Sequence, residues 1–427
     1  MQSEPFLAFT RIGFKKKRYW RMNPFWWHLM GMPLVVLLGL MSRFGFNFSL
    51  IPEESHAMVF GSAIAYAFSA WYVSRFSRFP GKATMLAVLP ATAMSFLILA
   101  AFLLLGRFYY SRGFLLVVFI LTTVWIFLGF ILSQRLNPLT LAIAPFGSAK
   151  RLMEVVPQHC IALHIPTLPK VPVDAVVADL HAEMPWQWSR FLADCALKNT
   201  PVHHAATVFE TLTGRVSLVH LSHGHLEGLL PSPTAMLGHR LLDYVLLLLI
   251  LPLALPLMLI IALAIKLDSK GKVFFVQERI GQHNKPFEMI KFRSMHVDAE
   301  KNGAAFAIRG DPRITRVGRL IRPFRLDELP QIFNILKGEM SFIGPRPEQW
   351  AFAEQFMRDI PFYGYRHVVK PGITGWAQVS QGYTASVDAT YIKLEHDFFY
   401  LKHLSIALDI YILARTVWTV LSRFGAR

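Results

Sequence analysis

The chain has 427 residues, 54% of them hydrophobic, and a formal net charge of +17 at pH 7. Such a composition excludes an ordinary soluble globule and indicates a polytopic membrane protein with room for attached domains. The cations mostly flank apolar segments and no nucleic-acid motif accompanies them, so the charge is assigned to anionic lipid and phosphorylated ligands, with no nucleic-acid partner.

Four apolar stretches open the chain, at about 25–46, 58–76, 83–105 and 114–132. Each is near the roughly 20 residues that cross a bilayer as a helix. No small-residue cleavage site follows the first, so it is read as a retained span. Arg11, Lys15, Lys16, Lys17, Arg18 and Arg21 precede it, and Arg75, Arg78 and Lys82 follow the second span. Arg135, Lys150 and Arg151 follow the fourth, and only Arg107 and Arg112 lie on the opposite side. The positive-inside rule then places the N-terminus and everything after the fourth span in the cytoplasm.

Residues 137–238 read as a small, degenerate Rossmann-like α/β domain. "TLAIAPFGSAKRLMEVV" predicts strand, turn and helix, "VDAVVADL" a second strand, and "SRFLADCALKNTPVHHA" a helix and then a strand. That alternation is the signature of a parallel sheet. The turn "PFGSAK" holds one glycine where a phosphate cradle needs several, so no dinucleotide is expected. His203, His204, His220, His223 and His225 lack H-E-x-x-H spacing and a cysteine pair, and are read as surface or satisfied core residues. The only cysteines, Cys160 and Cys195, are read as reduced thiols.

The stretch 241–265 is long enough to span a membrane, yet it contains Pro252 and Pro256 and has cations on both flanks. The prolines favour a break or sharp bend. The charge symmetry favours a segment that enters and leaves by one face; the alternative is a kinked crossing helix. Beyond it, "KVFFVQERIG" and "FEMIKFRSM" predict short strands. "ITRVGRLIRPFRLDELPQIFNILKG" predicts a helix interrupted at Pro323. "EQWAFAEQFMRDI" and "LSIALDIYILARTVWTVL" predict amphipathic helices, for the membrane interface or for a protein core.

The chemistry centres on Asp327 and Glu328. Adjacent carboxylates on a helix do not face each other, so they suit two separate tasks. One acts as a nucleophile and the other holds a divalent cation. Arg313, Arg316, Arg319, Arg322 and Arg325 recur every third residue, Lys291 and Arg293 sit in "KFRSM", and Arg346 sits in the rigid turn "GPRP". Guanidinium groups bind phosphate oxygens, and Mg²⁺ on a diphosphate stabilises its leaving group. Nearby arginines are expected to keep Asp327 ionised.

Residues 239–421 resemble the bacterial sugar transferase family, the monotopic polyprenyl-phosphate hexose-1-phosphate transferases. The likeness rests on "HRLLDYV", the Pro-bearing apolar helix, "VFFVQERIG", "IKFRSM", "RLDELPQIFNILKGEMSFIGPRP", "VKPGITGWAQV" and "SIALDIYILARTVWTVL". It implies a membrane protein of mixed α-helical and α/β class: four transmembrane helices (1–136), the degenerate α/β domain (137–238) and a re-entrant-helix catalytic domain with interfacial helices (239–427). It implies transfer of hexose 1-phosphate from a UDP-sugar to undecaprenyl phosphate at the bacterial inner membrane, in exopolysaccharide, capsule or O-antigen initiation. Asp327 is then the nucleophile. Glu328, with Asp327 beside it, supports Mg²⁺, and Lys291, Arg293, Arg322, Arg346 and Glu339 complete the phosphate site. Arg325 stands where the family often has serine. A non-catalytic export scaffold and a lipid-diphosphate phosphatase are the rival readings; the identity of the hexose and any homo-oligomer stay open.

Overall fold

A computed structural model describes residues 24–46, 52–76, 82–136, 139–218, 227–296, 311–381 and 387–421. The cations ahead of the first span, Arg78, and His220, His223 and His225 lie outside the described residues.

Helices α1 (Pro24–Phe44), α2 (His56–Phe76), α3 (Lys82–Leu105) and α4 (Arg112–Leu136) coincide with the four apolar stretches. They pack on a shared core that includes Tyr66, Leu103 and Phe114. Helices α1 and α4 are joined by a reciprocal tryptophan pair. The Trp27 and Trp125 rings stack with centroids 4.5 Å apart, and each indole N–H donates to the other residue's carbonyl at 3.3 Å. A Cβ on Gly31 would meet Trp125 at 2.0 Å and one on Gly129 would meet Trp27 at 2.2 Å, so the absent side chains set the approach of the two helices.

The next unit is a parallel sheet in the order β2-β1-β3-β4, from β1 (Leu141–Ile143), β2 (Cys160–Ala162), β3 (Ala175–Ala178) and β4 (Val202–His204). Alternate side chains serve opposite faces. Leu141, Ile143, Ala175 and Val177 pack with α5 (Ala149–Val155) and α7 (Ala205–Thr213), while Ala142, Val176 and Ala178 pack with α6 (Trp186–Leu197). Burial on both faces explains the continuous apolar runs. Cys160 and Cys195 fall on opposite faces and are free thiols.

Helix α8 (Pro233–Asp268) is a single 36-residue element that begins before the boundary expected at 239. Ser232 caps it, accepting the Ala235 N–H at 3.2 Å. At 1.5 Å per residue its axis runs about 54 Å. The break expected at Pro252 and Pro256 does not end the helix, for both prolines lie inside it. With α1 to α4 it makes five helices, among the described residues, long and apolar enough to cross a membrane. Both of its ends are bonded to one folded unit. Near the start, Asp243 accepts from the Phe342 N–H at 3.0 Å, and His239 lies between Asp409 (2.7 Å) and Ser341 (2.9 Å). At the far end, Asp268 accepts the Val317 N–H at 3.1 Å.

That unit begins with the antiparallel hairpin of β5 (Phe274–Ile280) and β6 (Pro286–Phe292). The helix expected to be interrupted at Pro323 is interrupted there and again beyond it, giving four short pieces: α9 (Arg316–Ile321), 3₁₀ turns at Arg322–Phe324 and Leu326–Glu328, and α10 (Gln331–Leu336). Pro323 and Pro330 lack a donor, and Arg325 between the turns takes a left-handed backbone (φ 55°), so the chain is re-aimed there. The remaining elements are β7 (Ser341–Ile343), α11 (Trp350–Asp359), β8 (Gly372–Thr374), α12 (Trp376–Ser380), α13 (Val387–Lys402) and α14 (Ile406–Leu421). β7 and β8 pair in parallel.

The α/β domain is clamped to α13. Arg151 and Arg215 reach opposite oxygens of the buried Glu395 at 2.7 and 2.6 Å. The Gly214 carbonyl accepts from the Trp376 indole at 2.7 Å. Removing the shared anion leaves two guanidiniums facing each other. Glu395→Gln is expected to cost about 2–3 kcal/mol, the low end for a broken buried pair because Arg151 is partly exposed. A lower Tm in detergent, with faster release of the α/β domain by limited proteolysis, would show it; an unchanged Tm would mean that the clamp contributes nothing.

Candidate active site

Asp327 and Glu328 occupy the second 3₁₀ turn, directly after the left-handed Arg325. The turn and Arg325 set both side chains against the end of β6, where Lys291 lies. Three elements supply the cations: β6 gives Lys291, the first 3₁₀ turn gives Arg322, and the loop after β7 gives Arg346. Arg346 donates to Glu328 Oε1 at 2.8 Å. Glu328 is buried and Asp327 half-buried.

The loop carrying Arg346 is fixed by close backbone packing. The Gly344 N–H donates to the Thr374 carbonyl at 2.8 Å, and the Gly372 N–H donates to the Pro345 carbonyl at 3.0 Å. A Cβ on Gly344 would meet the Lys370 carbonyl oxygen at 2.5 Å, so only glycine lets the strands cross here. Below it lies Arg366, which is fully buried. It donates to the Arg346 carbonyl at 3.0 Å and to the Tyr363 hydroxyl at 2.7 Å, and pairs with Asp397 of α13 at 2.8 Å. Glu348 pairs with Lys393 on the same helix.

The two carboxylates are driven apart electrostatically. Burial, then the charge on Glu328, pushes Asp327 up to about 6, against the pull of Lys291 and Arg322. The arginines expected to keep Asp327 ionised are opposed by burial and Glu328, yet a group at about 6 is still mostly ionised at neutral pH. Burial acts on Glu328 too, but Arg346 and Lys291 outweigh it and hold that carboxyl below its usual range. Lys291 is lowered to about 8, by burial first and then by the neighbouring Arg346 charge.

Glu328 Oε2 is buried without a hydrogen-bond partner among the described residues. An unsatisfied carboxylate oxygen next to a second carboxylate fits a hard divalent cation such as Mg²⁺, which takes oxygen ligands and retains waters.

The site thus unites Asp327, Glu328, Lys291, Arg322 and Arg346. Two expected members lie elsewhere. Arg293 is buried and spends its terminal nitrogens on the Ser269 carbonyl (2.8 Å), the Lys270 carbonyl (2.8 Å) and the Ser269 hydroxyl (2.9 Å). It closes the C-terminus of α8 rather than facing phosphate. Glu339 accepts from Asn334 at 2.7 Å, and Asn334 in turn bonds Glu288 and Ile290 of β6. A carboxylate so placed helps orient β6 through Asn334. Of the five periodic arginines, Arg313 is committed to Asp311 at 2.6 Å. Two residues were missed. Arg279 on β5 donates to the Pro347 carbonyl at 3.2 Å and lies near Lys291. Arg366 gives no sequence signal, because a charged residue is ordinarily placed on the surface.

A family model described as bacterial sugar transferase matches residues 234–423. A UDP-N-acetylgalactosamine-undecaprenyl-phosphate N-acetylgalactosaminephosphotransferase of Aeromonas hydrophila is 43% identical over 400 residues, 93% of this chain and 95% of that protein. A UDP-glucose:undecaprenyl-phosphate glucose-1-phosphate transferase of Escherichia coli (strain K12) is 45% identical over 178 residues, 41% of this chain and 38% of that protein. An enzyme of the same name from Caulobacter vibrioides is 41% identical over 201 residues, 47% of this chain and 75% of its own. With a relative aligned along nearly its whole length and the family's motifs gathered around one acid pair, the chain belongs to the bacterial sugar transferase family.

Proposed function

We propose that the protein transfers a sugar 1-phosphate from a UDP-sugar to undecaprenyl phosphate through a covalent intermediate on Asp327, at the cytoplasmic face of the inner membrane. The observation that carries this is the division of labour in the acid pair. Glu328 is neutralised by Arg346, while Asp327 has no ion pair of its own among the described residues and faces Lys291 and Arg322. An Asp327 oxygen attacks the sugar-bearing phosphorus, the P–O bond to the uridine-bearing phosphate breaks, and UMP leaves. An oxygen of undecaprenyl phosphate then attacks the same phosphorus and the Asp327 O–P bond breaks. The product is undecaprenyl diphosphate-sugar, with the carboxylate restored. Lys291, Arg322 and Arg346 hold the equatorial oxygens as charge shifts toward the leaving group. Glu328, through Oε2, would hold Mg²⁺, which when bound neutralises the diphosphate.

The membrane arrangement supports a lipid acceptor. Leu320 and Phe324, on the segment that ends in the acid pair, are 71% and 42% exposed, and Trp418 of α14 is 73% exposed. Asp243 and Asp268, near the two ends of α8, bond to one folded unit, which favours a helix that dips into one leaflet and returns. UDP-N-acetylgalactosamine is the first donor to test, because a relative that aligns over 93% of this chain bears that sugar in its name.

Asp327→Asn is expected to lower UMP release by about 10⁴-fold or more, with normal insertion, and to abolish a phosphosugar adduct on the Asp327 peptide in quenched wild type. Full turnover in that variant sinks the assignment. UMP released without sugar phosphate on lipid would mark mere hydrolysis of the UDP-sugar, and inorganic phosphate released from undecaprenyl diphosphate would mark the phosphatase reading.

The pH profile follows from the two shifted groups. The nucleophile works when ionised, so kcat/KM should fall as pH drops through about 6. Lys291 must keep its proton, so kcat/KM should fall again as pH rises through about 8. Lys291→Arg should move the alkaline limb upward; a flat profile between pH 5 and 7 contradicts the acidic one.

For topology, Leu230→Cys and Lys270→Cys flank α8 and are introduced with Cys160 and Cys195 replaced by serine. Both are expected to react with an impermeant maleimide only from the cytoplasmic face. Labelling from opposite faces would establish a crossing helix.

A further inference from the structure

The α/β domain carries a side-chain cluster that sugar-phosphate transfer does not use. Asp179 follows β3, His181 comes two residues later, and His204 ends β4. One donor atom from each lies within 4.8 Å of the other two. His181 Nδ1 and His204 Nε2 are 3.1 Å apart. That is close to the roughly 3.3 Å between two nitrogens on a tetrahedral ion with bonds of about 2.0–2.1 Å.

The surroundings orient these donors. His204 Nδ1 lies 3.4 Å from the Ala178 carbonyl. Donation there assigns the ring's lone pair to Nε2, on the side of His181. A ligating histidine is commonly fixed in this way, with its second nitrogen on a backbone carbonyl. Asp179 Oδ2 accepts from the Ser148 N–H and hydroxyl, both at 2.8 Å, which immobilises the carboxylate. Oδ1 accepts the His181 N–H at 3.1 Å and retains a lone pair for a ligand.

We propose that Asp179, His181 and His204 bind one divalent transition-metal ion at the C-terminal edge of the parallel sheet. Zn²⁺ is the best match, since two imidazoles and a carboxylate suit it and water completes the shell. Without metal, the proton between the rings sits on His181 Nδ1 and is donated to His204 Nε2. Binding selects the other tautomer of neutral His181: solvent takes the Nδ1 proton and returns one to Nε2, so both rings coordinate as neutral imidazoles with no net change in protons. The ion ties the loop after β3 to the end of β4 and so stabilises this domain.

The test uses the full chain in detergent without a polyhistidine tag. With excess Mg²⁺ present to fill the acid-pair site, Zn²⁺ titration should give one further site per chain and a higher Tm, and Co²⁺ should give visible d–d bands. His181→Ala, at an exposed position, should weaken binding by about 10-fold or more and erase the bands. Replacing His220, His223 and His225 together by alanine should leave both readouts intact. No stoichiometric binding by the wild type, binding unchanged in His181→Ala, or loss of binding in the triple variant would each overturn the proposal.

Discussion

Two adjacent carboxylates in a partly buried turn repel each other, and the catalytic unit is organised around that repulsion. At 4 Å and an effective dielectric constant of 20, two like charges cost about 4 kcal/mol. Arg346 takes up one of the charges through its 2.8 Å bond to Glu328. That leaves Asp327 as the group whose charge is least compensated, and a carboxylate in that condition gains most from meeting an electrophilic phosphorus and the cations around it. Arg346 can do this only if its loop is rigid. The Gly344 crossing and the buried Arg366 below it supply that rigidity, and Arg366 in turn needs Asp397. Each buried charge is answered by another one further from the site.

The same outward reading accounts for α8. Its apolar residues would be lost in water, and its ends would be uncontrolled in lipid, were it not bonded through His239, Asp243 and Asp268. Arg293 adds to the far end by collecting the carbonyl of the capping Ser269, an orphan acceptor of the helix C-terminus, and that of Lys270 just beyond it. Exposed Leu320 and Phe324 continue the apolar surface onto the segment that carries the acid pair. A soluble nucleotide-sugar and a lipid phosphate would meet at such a boundary, where phosphate oxygens stay wet and the polyprenyl tail stays in hydrocarbon.

Much of this is legible in the sequence. The apolar runs of α1 to α4 have the length of spans, and the strand–helix alternation of the α/β domain appears where "LAI", "AVVA" and "VHH" stand. β2 is hidden, because "CIA" is three residues long and follows a proline-bearing turn. α13 is hidden by its own charges: Glu395, His396 and Asp397 look like a solvated face, yet all three are buried and partnered. Within the site, residue type pointed to phosphate chemistry but could not tell which cation faces it. Arg293 and Lys291 stand two apart on one extended segment and so lie on the same face by period, yet the chain leaves β6 at Phe292. Past that point the strand rule no longer applies, and Arg293 turns to α8. The interruption at Pro323 is legible, but the second one is not, because it comes from the left-handed backbone at Arg325, which no simple propensity assigns to arginine.

The α/β domain, built on a parallel sheet, makes a mechanical contribution to the rest of the chain. In such sheets an anion is ordinarily held outside the carboxyl ends of the strands, near the turn after β1. Here the Ser148 N–H and hydroxyl of that turn are already bonded to Asp179, a residue of the chain itself. The domain's strongest external bonds run the other way, from Arg151 and Arg215 to Glu395. Glu395 and Asp397 are two apart on α13, so they point to different sides of the helix. One carboxylate holds the α/β domain while the other holds Arg366 beneath the Arg346 loop. A helix is stiff over three residues, so whatever fixes the position of the α/β domain also fixes the floor of the acid-pair site.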